Sequence, residues 1–170
     1  MSEEELEEEM DEEEEASPQG QERTILDIKV VPFEPATTES GQTLAENEGR
    51  LKKAIMERVK PDELARLAEN RADRLVTLTV LFFLWKGSPK ITNTRAVKDL
   101  DNLLKIVLDV LKLGPKGLGI VEEDSYVCEV YCAKQLVNDE KEEGYRIIVE
   151  EYEDDAMLAL LKRSHSGPKK

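Results

Sequence analysis

This 170-residue sequence predicts an α+β domain, a mixed four-stranded sheet with helices packed on it. Three observations carry that class. Four runs read as strands, three of them through apolar residues that alternate with period two over all or part of their length. Between and after those runs, apolar residues recur at helical spacing. The resulting order is strand, helix, helix, strand, helix, strand, strand, helix, so strand–helix–strand passages imply parallel or crossover pairing and a closing hairpin adds an antiparallel edge.

Leu26, Ile28 and Val30 alternate with Asp27 and Lys29, giving a half-buried strand over about 24–31. Pro32 and Pro35 end it, and residues 34–44 read as a polar loop. Leu51, Ile55 and Val59 recur every four residues and predict an amphipathic helix over 45–59. Pro61 suits a first helical position, so a second helix runs to about 71 and buries Leu64, Leu67 and Ala68. Residues 75–85, LVTLTVLFFLW, are the strongest strand. The first half alternates and the second is apolar on both faces, as in a central strand or one covered by a partner. A basic loop follows, with Lys86, Lys90, Arg95 and Lys98 and no acid. The next helix spans 99–112, its core stripe made by Leu103, Leu104, Val107, Leu108 and Leu111, with Asp99 placed to cap it. Gly114, Pro115, Gly117 and Gly119 mark a turn before a strand over 125–136, in which Tyr126, Cys128, Val130 and Cys132 share one side. A polar loop at 138–144 leads to a return strand over 145–152 and a short helix over 154–163.

The net charge of −14 is unevenly spread. Of the 38 acids, 12 lie in residues 1–22, which hold no base; the remainder has 26 acids against 24 bases and carries only about −2. The chain thus divides into an acidic tail at 1–22, a folded body at 23–153, and a C-terminal helix with a basic end at 154–170. The tail has no apolar periodicity and is expected to be disordered. It could mimic nucleic acid, fold back over a basic groove, engage a basic partner, or simply confer solubility. Cys128 and Cys132 read as buried thiols rather than a disulfide, and the sequence shows no signal peptide or membrane span, so a reducing cytoplasm is the expected compartment. With His165 the only histidine, histidine-ligated metals and histidine-dependent triads are excluded. Catalysis would fall to carboxylates, lysines or hydroxyls.

The chemistry-bearing stretch is Lys98-Asp99-Leu100-Asp101-Asn102-Leu103-Leu104-Lys105, followed by Glu122-Glu123-Asp124. Two carboxylates at about 4 Å repel by about 4 kcal/mol at a partly buried site, and a divalent cation relieves that. Asp99 and Asp101 straddle the first turn of a helix, and Asp124 opens the following strand, after a loop short enough to return it beside that helix start. Such a set could seat one divalent ion such as Mg²⁺, or two about 4 Å apart, with Lys105 one turn further on to offset charge developing on a phosphate. Lys86, Lys90, Arg95 and Lys98, with Lys112 and Lys116 beyond the helix, would supply a stripe for the phosphate backbone.

These residues resemble the signature of the RusA family of Holliday-junction resolvases: Asp99-x-Asp101-Asn102-x-x-Lys105-x-x-x-Asp109-x-Leu111, a glycine-containing turn, then Glu123-Asp124-Ser125-Tyr126-Val127. The likeness covers about 24–152. It implies a homodimeric, Mg²⁺-dependent endonuclease (Mn²⁺ substituting) that cuts four-way DNA junctions in recombination and repair by paired incisions. By position, Asp99, Asp101 and Asp124 would be catalytic metal ligands, Lys105 the catalytic lysine and Asn102 a supporting residue. Lys134 matches a lysine late in the third strand. Where the family usually has two aspartates, this chain has Glu123 before Asp124, and the acidic tail is outside the family pattern. The other common metal-nuclease pattern, an acid–x–Lys tripeptide in a strand, is not supplied by Glu129 to Lys134. The competing reading is a non-catalytic protein that binds branched DNA, or an interaction module working through its acidic tail.

Overall fold

The computed structural model describes residues 24–35, 43–88 and 99–165. The acidic tail at 1–22, with the disorder expected of it, and the loop bases Lys90, Arg95 and Lys98 lie outside the described residues. Four strands and four α-helices alternate as β1 (Thr24–Val30), α1 (Leu44–Met56), α2 (Pro61–Glu69), β2 (Leu75–Trp85), α3 (Leu100–Leu111), β3 (Val127–Val137), β4 (Gly144–Tyr152) and α4 (Asp155–His165). Each falls within a few residues of its sequence-derived position, because apolar periodicity is a local signal.

The helix ends are chemically set. Thr43 accepts from the Glu46 backbone N–H while the Glu46 carboxylate accepts from that of Thr43, a reciprocal cap that starts α1. Pro61 occupies the first turn of α2, where its missing N–H costs nothing.

The sheet order is β1-β4-β2-β3. β2 and β3 are parallel, with Leu78 beside Val130 and Trp85 beside Val137. β4 runs antiparallel to both β1 and β2, pairing Ile28 with Ile147 and Val80 with Ile147 from its two sides. The expected closing hairpin is therefore overturned. β3 and β4 are consecutive in sequence but not neighbours, and β4 fills an interior slot. Burial explains the outcome, since Tyr145, Ile147 and Val149 are fully covered there. Such a strand gains more between two others than at a rim.

One sheet face carries Leu26, Ile28, Val30, Leu78, Val80, Phe82, Tyr145, Ile147 and Val149. Against it pack Leu51 and Ile55 from α1 and Leu103, Ile106, Val107 and Val110 from α3. The other face, with Thr79, Leu81, Phe83 and Trp85, is half-buried. β2 is central, as its doubly apolar second half requires. Cys128 and Cys132 are free and half-buried rather than fully enclosed, because β3 lies at the sheet edge. Among the described residues no helix is long and apolar enough to cross a membrane.

Candidate functional site

α3 crosses from the end of β2 back to the start of β3. Its C-terminal residues Leu108 and Leu111 lie with Val76, Leu78 and Val127, which belong to the beginnings of β2 and β3. Its N-terminus therefore lies toward the opposite end of the sheet, where β2 and β3 finish.

At that N-terminus, Asp99 takes the N-cap position with extended backbone, and its carbonyl accepts from the Leu103 N–H at 3.1 Å. The side chain makes no capping bond, contrary to the sequence expectation. Asp99, Asp101 and Lys105 are exposed. Among the described residues none of the three enters an ion pair or side-chain hydrogen bond. Among the described residues two carboxylates thus stand uncompensated at the start of α3, where free amides and the helix dipole favour negative charge, with an ammonium one turn on. Asn102 is half-buried beside them. Lys86 follows β2 directly and is exposed. Lys134, level with Phe82 in the sheet, is exposed on β3 toward the same end.

Asp124 lies elsewhere. It begins a short 3-10 turn (Asp124–Tyr126) ahead of β3, with its side chain 56% exposed and 3.9 Å from the Lys112 ammonium. Lys112 in turn holds Asp109 at 2.6 Å. That hydrogen bond from Lys112 to Asp109, with the charges of Asp124, Asp109 and Glu48 adding to it, raises the Lys112 pKa above its ordinary value. Asp109 is eight residues along α3 from Asp101, about 12 Å at 1.5 Å per residue. Asp124 is thus at the C-terminal end of α3, and Asp99 and Asp101 are at the other. The loop between α3 and β3 returns the chain beside the helix end, not its start, because Leu113, Ile120 and Val121 bond back to Val121 and Leu111.

Two ligand oxygens of one Mg²⁺ sit no more than about 4 Å apart, given metal–oxygen distances near 2.1 Å. Within one chain Asp124 does not share an ion with Asp99 and Asp101. Among the described residues no group of three or more His, Cys, Asp or Glu side chains is arranged to hold a metal. Asp99 and Asp101 are two carboxylates, and Mg²⁺ commonly takes one or two from a protein with the other positions left to water and phosphate.

The neighbouring charges are committed. Glu122 accepts from Arg71 at 2.8 Å. The buried Glu48 carboxylate lies 3.7 Å from Lys116. Lys112 and Lys116, read from sequence as part of a phosphate-binding stripe, are instead engaged with acids at the far end of α3. The three-residue spacing of Asp109 and Lys112 was the available sign of that pairing. Glu123 is exposed, and its carbonyl accepts from the Tyr126 N–H. Comparison with protein-family models, curated proteins and solved structures finds no match to this chain.

Proposed function

We propose that this chain is a Mg²⁺-dependent, structure-specific endonuclease of the RusA kind, acting on four-way DNA junctions. The observation that carries the reading is the exposed Asp99–Asp101 pair with Lys105 on the start of α3, uncompensated among the described residues. The acids around the other end of α3 have cationic partners. Two exposed carboxylates this close repel by only about 1 kcal/mol in water, and a divalent cation between them turns that repulsion into attraction.

In this reading Asp99 and Asp101 hold the ion, and Mg²⁺, or Mn²⁺ in its place, supplies Lewis acidity toward a phosphate oxygen when bound. Lys105 opposes the negative charge that builds on the phosphate during hydrolysis. Lys86 and Lys134 contact the DNA backbone from the same end of the sheet. Bringing Asp124 to that site takes a second chain, so the reading includes a homodimer.

The test is cleavage of a labelled synthetic four-way junction with added Mg²⁺. The wild type is expected to cut it and to leave linear duplex intact. Asp101→Asn should abolish cutting, by at least about 100-fold, while junction binding persists, since binding rests on the bases. A wild type that binds the junction but never cuts branched DNA with Mg²⁺ or Mn²⁺ ends the enzymatic reading.

One observation favours a second reading, a non-catalytic branched-DNA-binding protein. Asp124 faces Lys112 rather than a cation site. That alternative predicts junction binding with no rise in melting temperature on adding Mg²⁺, whereas a metal-binding protein is stabilised by mass action.

A further inference from the structure

The sheet has two unequal faces. α1 and α3 cover one. The other is open toward the end where β1, β2 and β3 finish, with Lys29, Arg146, Ala133 and Gln135 exposed and Leu81, Phe83 and Trp85 half-buried. Tyr131, two residues before Ala133 on β3, is 58% exposed. Phe83, Trp85 and Tyr131 thus border solvent on one stretch of sheet, although rings of that size ordinarily seal cores and interfaces. Charge divides this face. Glu129 and Glu150 flank Thr77 on its lower rows. Higher up, the Lys29 ammonium lies 5.3 Å from the centre of the Phe83 ring, Arg146 forks onto Asp27, and Lys86 follows Trp85. Among the described residues Lys29 and Lys86 enter no ion pair. Lys29, Phe83, Gln135 and Glu142 line, with Val137 and Asn138, a recess of about 250 Å³.

We propose that the open end of this face is a platform for the unpaired bases of a DNA strand, stacked on Tyr131 and Phe83 with Lys29 and Lys86 on the phosphates. The occupant follows from the chemistry of the surface. Every base offers a π-face to an aromatic ring, and ammonium groups beside the rings follow the phosphates. The recess is smaller than the roughly 300–1,000 Å³ of pockets for drug-sized ligands, so it suits one planar ring system. Gln135 and Glu142 at its wall can bond to the edge of such a ring, the carboxylate accepting from a base N–H. A duplex hides its base faces inside the stack. An apolar protein partner would have to strip water from Lys29 and from the Arg146–Asp27 pair, which is unfavourable.

Spacing agrees with that occupant. Phe83 is the β2 neighbour of Gln135, four residues beyond Tyr131 on β3. The two rings are therefore about 13 Å apart along the sheet, at about 3.3 Å per residue. Four-stranded sheets that bind single strands stack two or three bases on such rings. The acids Glu129 and Glu150 on the lower rows confine the strand to the cationic end. DNA is preferred to RNA on the functional reading proposed above, on which the inference rests in that respect alone. The platform opens at the end of the sheet toward which Asp99 and Asp101 lie, so an unpaired strand leaving a branch point runs from the rings toward them.

Fluorescence of the full chain in EDTA tests it, because Trp85 is the sole tryptophan and lies on this face. A short oligo(dT) is expected to quench that signal, and a duplex of the same length is not. Tyr131→Ala, at an exposed position, should weaken oligo(dT) by about 10-fold, whereas Tyr131→Phe keeps the ring and should stay within about twofold. Lys29→Gln should lower the slope of log affinity against log salt by about 0.7, the share of one phosphate on a single strand. No quenching by oligo(dT), equal quenching by the duplex, a Tyr131→Ala chain that binds like the wild type, an unchanged salt slope, or tighter binding of oligo(rU) would each overturn the proposal. Junction cleavage with Mg²⁺ is scored separately. A chain that binds oligo(dT) but cuts nothing keeps the platform and loses the nuclease reading, and one that cuts junctions without binding oligo(dT) does the reverse.

Discussion

Lys112 shows how a single ammonium organises one end of α3. It hydrogen-bonds Asp109 and faces Asp124, and these acids raise its pKa above the ordinary 10.5. A folded-state pKa that is raised stabilises the fold fully below the unfolded value, and this contribution is lost as pH climbs through the higher folded value. Thermal melts taken through and beyond pH 10.5 should therefore lose a Lys112-dependent component. Lys112→Gln, which lacks that component, should melt with a shallower alkaline decline than the wild type. Individual residues were unevenly legible. That Asp99, Asp101 and Lys105 lie along the start of α3 could be read from spacing alone, since helix position follows from local pattern. That Asp99 takes the N-cap position while its side chain makes no capping bond could not, because the side-chain rotamer is not written in the spacing. Thr43 and Glu46 carried a readable T-x-x-E cap signature that apolar periodicity does not report. Asp124 was expected to open the strand beside the start of α3, but it begins a short 3-10 turn ahead of β3 at the other end of the helix, a matter of loop path rather than residue type.

Among the elements, β4 depends most on a single small residue. Gly144 begins it where the end of β1 passes close by. A Cβ at Gly144 would collide with the Val30 carbonyl oxygen and the Val31 side chain. Backbone cannot yield as a flexible side chain does. Gly144→Ala is thus expected to cost about 2–3 kcal/mol, in the range of overpacked sites, read as a lower urea midpoint with an unchanged slope. In the sequence, the glycine looked like ordinary loop punctuation before a return strand. The eight helices and strands among the described residues were visible in the sequence, most of them through their own alternation or stripe. Their neighbours were not. β1 pairs with β4 at a sequence distance of more than 110 residues, as Ile28 with Ile147 shows. Nothing in either strand's pattern names the other. The short polar loop expected at 138–144 suggested a hairpin that the burial of Tyr145, Ile147 and Val149 overrides.

For the molecule as a whole, charge is the legible property. The acidic tail carries 12 of the 38 acids, and removing residues 1–22 takes the net charge from −14 to about −2. Deleting it is expected to leave the melting temperature within a few degrees and to tighten binding to DNA. The gain should shrink as salt rises, since the tail's repulsion of phosphate is screened over about 10 Å at 0.1 M. Fluorescence anisotropy with a labelled junction at two salt concentrations checks both points, and a salt-independent difference would argue against simple repulsion. The placement of β4 between β1 and β2 has a bearing on biosynthesis. The last strand to leave the ribosome is the keystone, joining the first strand to the rest. Until residue 152 has emerged, the N-terminal strand has no hydrogen-bonding mate in the sheet. The nascent chain must therefore wait, with Leu26, Ile28 and Val30 unsheltered by their strand partner, and assembly becomes a late event rather than a vectorial one.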